Sequence, residues 1–119
     1  MNTKPFYTAS KTKHANIWKK LRFEGHPVTA TWIDEADAGE TDDLAELAVR
    51  CIEDIKRASF LLIYSEPGDV HKGGLMEVGM ALALGKEIRC VGWCNSFGAV
   101  FHLHPLWKRY DTVEKALER

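Results

Sequence analysis

The sequence predicts an α/β fold of the flavodoxin/Rossmann-like kind, a three-layer sandwich built on a parallel sheet of about five strands. Three observations point there. Strand-type and helix-type patterns alternate along the chain, as in successive βα units. One segment, Ser59 to Tyr64, is almost continuously apolar, as suits a central parallel strand covered on both faces. Finally, 119 residues leave room for one core and no separate substrate domain, so residues 1–119 are read as a single domain.

The elements follow in order. Pro5 to Ala9 is aromatic and β-branched and ends at the polar segment Ser10-Lys11-Thr12-Lys13, giving strand one and its loop. From His14 to Glu24 the apolar residues Ile17, Trp18, Leu21 and Phe23 recur near helical spacing, and Gly25 stops that helix before Pro27. Val28 to Ile33 is again β-branched and aromatic, predicting strand two, and leads into an acidic loop, 34–43. Asp43 and Glu46 have capping-box spacing at the start of a second helix, whose stripe runs through Leu44, Leu47, Ala48, Cys51, Ile52 and Ile55. After the central strand and the loop 65–72, Gly73-Gly74 opens an apolar helix that Gly85 closes before strand 87–92. A short strand near 109–112 and a terminal helix from Val113 complete the pattern.

Composition narrows the partners. Sixteen Lys plus Arg against seventeen Asp plus Glu give a formal net charge of −1, with no run of five like charges, which argues against nucleic acid or an anionic membrane surface. No apolar stretch approaches the ~18 residues a bilayer requires, and Met1 to Pro5 lacks the apolar region of a signal peptide, so the expected setting is the cytoplasm. Three cysteines at no disulfide spacing fit a reducing compartment. Cys90, Cys94, His102 and His104 include zinc-ligating residue types, but no Cys-x2-Cys or His-x3-His pair is present, and no metal or cofactor is expected.

In open parallel sheets, ligands bind beyond the carboxyl ends of the strands, so the loops at 10–14, 32–43, 65–74 and 93–104 should converge. One residue stands out beside them. Glu77 is the only charged residue between Leu75 and Leu84, near the start of its helix, where free N–H groups favour an anion and apolar neighbours disfavour one. It reads either as a positioned nucleophile or general acid, or as a solvated complement to the helix dipole. Gly73 and Gly74 permit close approach of a ligand to the helix start.

Tyr7-Thr8-Ala9-Ser10, Glu53 to Ser59, and above all Lys72-Gly73-Gly74-Leu75-Met76-Glu77-Val78-Gly79 with the small-residue helix ending in Gly85-Lys86, resemble the nucleoside 2-deoxyribosyltransferase family, particularly its short phage and bacterial branch. Related 2′-deoxynucleoside 5′-phosphate N-hydrolases share this framework. The resemblance implies that Glu77 attacks C1′ of a 2-deoxyribosyl group, releases the base, and forms a covalent glycosyl-enzyme that water or another base resolves. It assigns Tyr7 to orienting that carboxylate, although a strand tyrosine also serves as core filling. One position departs: Cys51 stands where many members have a site aspartate, and Asp54, three residues on, either substitutes for it or is a solvated helix residue.

Lys11, Lys13, His14, His71 and Lys72 lie on the two loops expected to flank Glu77, where they suit a 5′-phosphate or simply solubilise the surface. Ser10 belongs to the same loop, and Trp32 is placed to stack on a base or to pack in the core. The aromatic and histidine-rich segment Trp93 to Trp107 provides apolar material for a homo-oligomer. The expectation is therefore cleavage or exchange of an N-glycosidic bond in a 2′-deoxynucleoside or its 5′-monophosphate, hydrolysis being preferred. The alternatives are a nucleotide-binding or sensing module without turnover and, as another enzyme, a phosphoribohydrolase.

Overall fold

A computed structural model describes residues 2–35, 44–93 and 96–118. Four strands, β1 (Phe6–Ala9), β2 (Phe60–Tyr64), β3 (Glu87–Val91) and β4 (Trp107–Tyr110), pair in parallel in the order β1-β2-β3-β4. The registers Phe6 to Phe60, Phe60 to Glu87 and Ile88 to Trp107 fix which side chains share a face. Among the described residues five α-helices accompany them: α1 (Ala15–Phe23), α2 (Leu44–Arg57), α3 (Gly73–Ala83), α4 (Ala99–His102) and α5 (Val113–Ala116).

Alternation along the strands sorts the layers. Tyr7, Leu61, Ile88 and Trp107 form one row and face α2 and α3, which pack against each other. Phe6 and Phe60 point the other way and stack at 5.3 Å between centroids, with the Arg89 guanidinium 3.7 Å above the Phe60 ring. On that second face, Trp18 of α1 meets Tyr64 edge-on, and Arg89 donates to the Ala116 carbonyl of α5 at 2.7 Å. The core is thus split across both faces of β2, whose Phe60 to Ile63 are all buried.

The predicted second strand is the main correction. Residues 28–33 make a single parallel bridge, Val28 to Phe6, and then turn into a 3-10 helix, Trp32–Asp34, leaving a sheet of four strands. Side chains satisfy what a ladder would have satisfied. Thr31 donates its N–H and its hydroxyl to the Asp54 carboxylate at 2.9 and 2.8 Å, Thr29 donates its hydroxyl to the Asp54 carbonyl at 2.9 Å, and the Trp32 indole N–H reaches the Thr8 carbonyl at 2.9 Å. Arg22 of α1 clamps the turn through Asp34 at 3.0 and 2.6 Å. The remaining bridge still lies on the outer side of β1, so the chain leaves β1 in one direction and reaches β2 in the other. That reversal is the topological switch point at which such sheets bind ligands.

Two smaller differences concern ends. The last strand begins at Trp107, two residues earlier than its pattern suggested, and Asp43 of the predicted capping box lies outside the described residues. Asp54 is 1% exposed and also pairs with Arg57. Asp54→Ala would leave the Thr31 N–H and the guanidinium without their acceptor. Unfolding in urea should show a loss of about 2–4 kcal/mol; a loss under 1 kcal/mol would mean that Asp54 does not hold the 28–33 segment.

Candidate active site at the sheet switch point

The loops after β1 and β2, the 3-10 turn and the starts of α2 and α3 surround a cavity of about 550 Å³, within the range of small-molecule sites. Ser10, Lys11, Trp32, His71, Gly73, Gly74 and Glu77 all line it. Tyr7, wholly buried beneath, donates its hydroxyl to Glu77 Oε2. The two residues are 70 positions apart and meet because β1 and α3 pack together at the switch point.

Burial pushes the Glu77 carboxyl up to about 7, while the Tyr7 hydrogen bond and the positive field of His71 act to lower it. Burial, together with the adjacent negative charge of Glu77, drives the Tyr7 hydroxyl far above its ordinary range, so it remains a donor at all accessible pH. Cys51 lies against Tyr7, and burial raises its thiol too, keeping it neutral. The cavity lining therefore presents one carboxylate poised between its two protonation states and one neutral thiol, with a permanent donor buried behind them.

The basic residues divide. Lys13 pairs with Asp69 at 3.1 Å and His14 Nε2 contacts the same carboxylate at 2.9 Å, with Glu66 3.8 Å from the other ring nitrogen. Burial opposes ionisation of Asp69, but the Glu66 N–H, His14 and Lys13 outweigh it and hold the carboxyl well below its usual range. Lys13 and His14 tie the loops together and do not line the cavity. Lys11, Lys72 and His71 do. His71 is 4% exposed, its backbone N–H donates to Ser96 Oγ at 2.9 Å, and among the described residues its Nε2 has no hydrogen-bond partner. A Cβ at Gly74 would sit 3.1 Å from His71 Nδ1, so glycine there lets the imidazole pack against the first turn of α3.

Asp54 is not brought to this group, since its oxygens serve Thr31 and Arg57 and it does not line the cavity. Ser10 lines it, with its hydroxyl already receiving the Trp18 indole N–H at 2.9 Å. The sequence reading missed the apolar wall formed by Leu47, Ala48 and Ile52 of α2 with Met76 and Met80 of α3, and it missed Glu35. The i, i+4 pairs Leu47/Cys51 and Met76/Met80 were the available signal. Of the segment expected to join from beyond β3, Ser96 reaches the loop of His71; Trp93 instead stacks on His102 at 4.2 Å, and Cys94 lies outside the described residues. Among the described residues no group of three metal-ligating side chains converges, and no helix is long and apolar enough to cross a membrane.

No protein-family model and no curated protein matches the chain. Among solved structures it is similar to that of the Clostridium botulinum CMP N-glycosidase BcmB, with a TM-score of 0.59 and 18% identity over 96% of each chain. At that identity the likeness shows the shared α/β fold across essentially the whole length of both proteins.

Proposed function

We propose that the protein cleaves the N-glycosidic bond of a nucleoside 5′-monophosphate, with Glu77 as nucleophile. The observation that carries this reading is the half-buried Glu77 carboxylate facing the cavity, with a buried tyrosine hydroxyl bound to one of its oxygens. Ionised Glu77 attacks C1′ of the sugar as the bond to the base nitrogen breaks; the electron pair leaves with the base, which takes a proton from water. A water molecule then attacks C1′, giving its proton to the hydroxide left by that transfer, releases the sugar phosphate and returns the carboxylate, so two displacements retain configuration. The resemblance in the Gly73 to Gly79 segment and the N-glycosidase activity named for the structural neighbour support the same chemistry.

Phosphate is favoured over an unmodified nucleoside because the start of the eleven-residue α3, His71 with its buried Nε2 unpartnered among the described residues, Lys11 and Lys72 all line the cavity. Trp32, its indole N–H anchored on Thr8, also lines it and offers a face for the base. The exposed Trp93, Phe101 and Leu103, together with Met76 and Val49, support an assembly of identical chains.

The test is incubation with ribo- and deoxynucleosides and their 5′-monophosphates, with and without a second free base, followed by chromatographic separation. Free base with sugar phosphate is the expected product, a new nucleotide would make the protein a transferase, and no product from any substrate sinks the catalytic reading. The neutral Cys51 beside Tyr7 favours one second reading, a nucleotide-binding module without turnover; saturable binding with no base released would establish it.

Tyr7→Phe supplies a pH test. As nucleophile, Glu77 is active when ionised, so kcat/KM should rise with pH through an inflection near 7. Removing the hydroxyl removes a bond that lowers the carboxyl, and the inflection should move up by about one pH unit. At pH 7 the rate should fall roughly fivefold from ionisation alone. An inflection that stays in place, or activity that falls as pH rises, would contradict the assigned roles.

A further inference from the structure

Glu35 lines the cavity without a part in the chemistry above. It follows the 3-10 turn that carries Trp32, and its N–H donates to the Trp32 carbonyl at 3.0 Å. Side chains three residues apart on a 3-10 turn eclipse, and Trp32 and Glu35 accordingly both reach the cavity. Arg50 of α2 holds Glu35 Oε2 at 2.7 Å and also meets Glu46 at 3.3 Å, so two carboxylates share one guanidinium. A carboxylate has two oxygens and about four acceptor positions, leaving Glu35 able to accept from a ligand. Trp32 and Glu35 thus reach the cavity from one turn, as an aromatic face beside an anchored carboxylate, while Lys11, His71 and Lys72 line it from the loops after β1 and β2.

We infer that Glu35 is a specificity-determining residue that accepts a hydrogen bond from the exocyclic amino group of a base stacked on Trp32, selecting amino-bearing bases over their oxo counterparts. The inference rests on the nucleotide reading above. An amino group donates to the carboxylate; a carbonyl at the same position of the ring would place oxygen against oxygen and leave a desolvated charge without a donor.

The experiment compares dCMP with dUMP and dAMP with dIMP, pairs that differ at that substituent and share sugar and phosphate. Wild-type protein should favour the amino member of each pair roughly 10- to 100-fold in kcat/KM, the range for a hydrogen bond to a charged group. In Glu35→Gln, whose amide both donates and accepts, each ratio should collapse to within about threefold. Glu35→Asp, which keeps the charge near Arg50 but shortens its reach, should also narrow the ratio. A purely structural role would lower both members of a pair alike. Ratios unchanged in both variants, or a wild-type preference for the oxo members, would overturn the inference.

Calorimetric titration of the same four nucleotides into Glu77→Gln protein separates this from the catalytic reading. If wild-type protein releases no base yet these affinities keep the amino preference and lose it on adding Glu35→Gln, the glycosidase reading fails and the inference stands. If the affinities show no preference, the inference fails whatever the turnover.

Discussion

Glu77→Gln should abolish base release, lowering kcat by at least about 10³-fold, because the amide keeps the shape of the side chain and loses the nucleophilic oxygen. The same substitution should make the folded protein more stable at pH 8. A carboxyl that titrates near 4.5 in the unfolded chain and near 7 in the folded one binds its proton more tightly in the folded state. Its unfavourable contribution is therefore absent below about pH 4.5, grows as pH rises towards 7, and is complete above that. Glutamine carries no such charge, so the gain at pH 8 should be on the order of 2–3 kcal/mol and should vanish near pH 4.5. Paired thermal melts at the two pH values and a single-turnover assay check both halves. A variant that retains activity refutes the nucleophile; a stability difference from wild type that is the same at both pH values refutes the buried-charge account. Loss of activity with gain of stability is the combination expected of a site whose function opposes folding.

The largest effect on folding should come from Gly92→Ala. Gly92 leaves β3 with φ of +85°, and a Cβ there would lie 2.2 Å from the Ser65 carbonyl oxygen, a backbone atom that cannot rotate away. The same crossing carries the Ser65 N–H to Val91 hydrogen bond at 3.1 Å, which fixes the exit of β2 and hence the loop that delivers His71. Strain and overlap together should cost at least about 3 kcal/mol. Gly85, also at positive φ (+75°) but with no heavy atom within 4 Å of its virtual Cβ, is the internal control and should cost about 1 kcal/mol on replacement by alanine. Denaturant midpoints for the two variants give the answer; equal losses would mean that backbone conformation alone, and not the approach of Ser65, demands glycine at position 92.

The sheet was legible in the sequence wherever the signal was local. Phe60 to Ile63 reads as a buried central strand because all four side chains are apolar, and α3 reads as a helix bounded by Gly73-Gly74 and Gly85. Residues 28–33 misled because β-branched composition measures fit to a half-buried surface and does not reveal hydrogen-bond partners. Asp54, Arg22 and the Thr8 carbonyl, all 12 or more residues away from the groups they bind there, decide that segment's conformation. The site shows the same division. Glu77 and the glycines before it stand out as a charge and a turn in an apolar helix, whereas the withdrawal of Lys13 and His14 depends on Asp69, 55 residues beyond His14. Glu35 gave no sign, since a carboxylate in an acidic loop reads as solvated until the fold places Trp32 and Arg50 around it.

Segment 28–35 has few ladder bonds of its own, and its order depends on α1, on the end of α2 and on Thr8. A base stacked on Trp32 would add one more partner to that set, so ligand occupancy and local folding draw on one equilibrium. Linkage then runs both ways: nucleotide should slow amide hydrogen exchange at Thr31 to Glu35 more than within β2, and Asp54→Ala should weaken nucleotide affinity without touching the cavity.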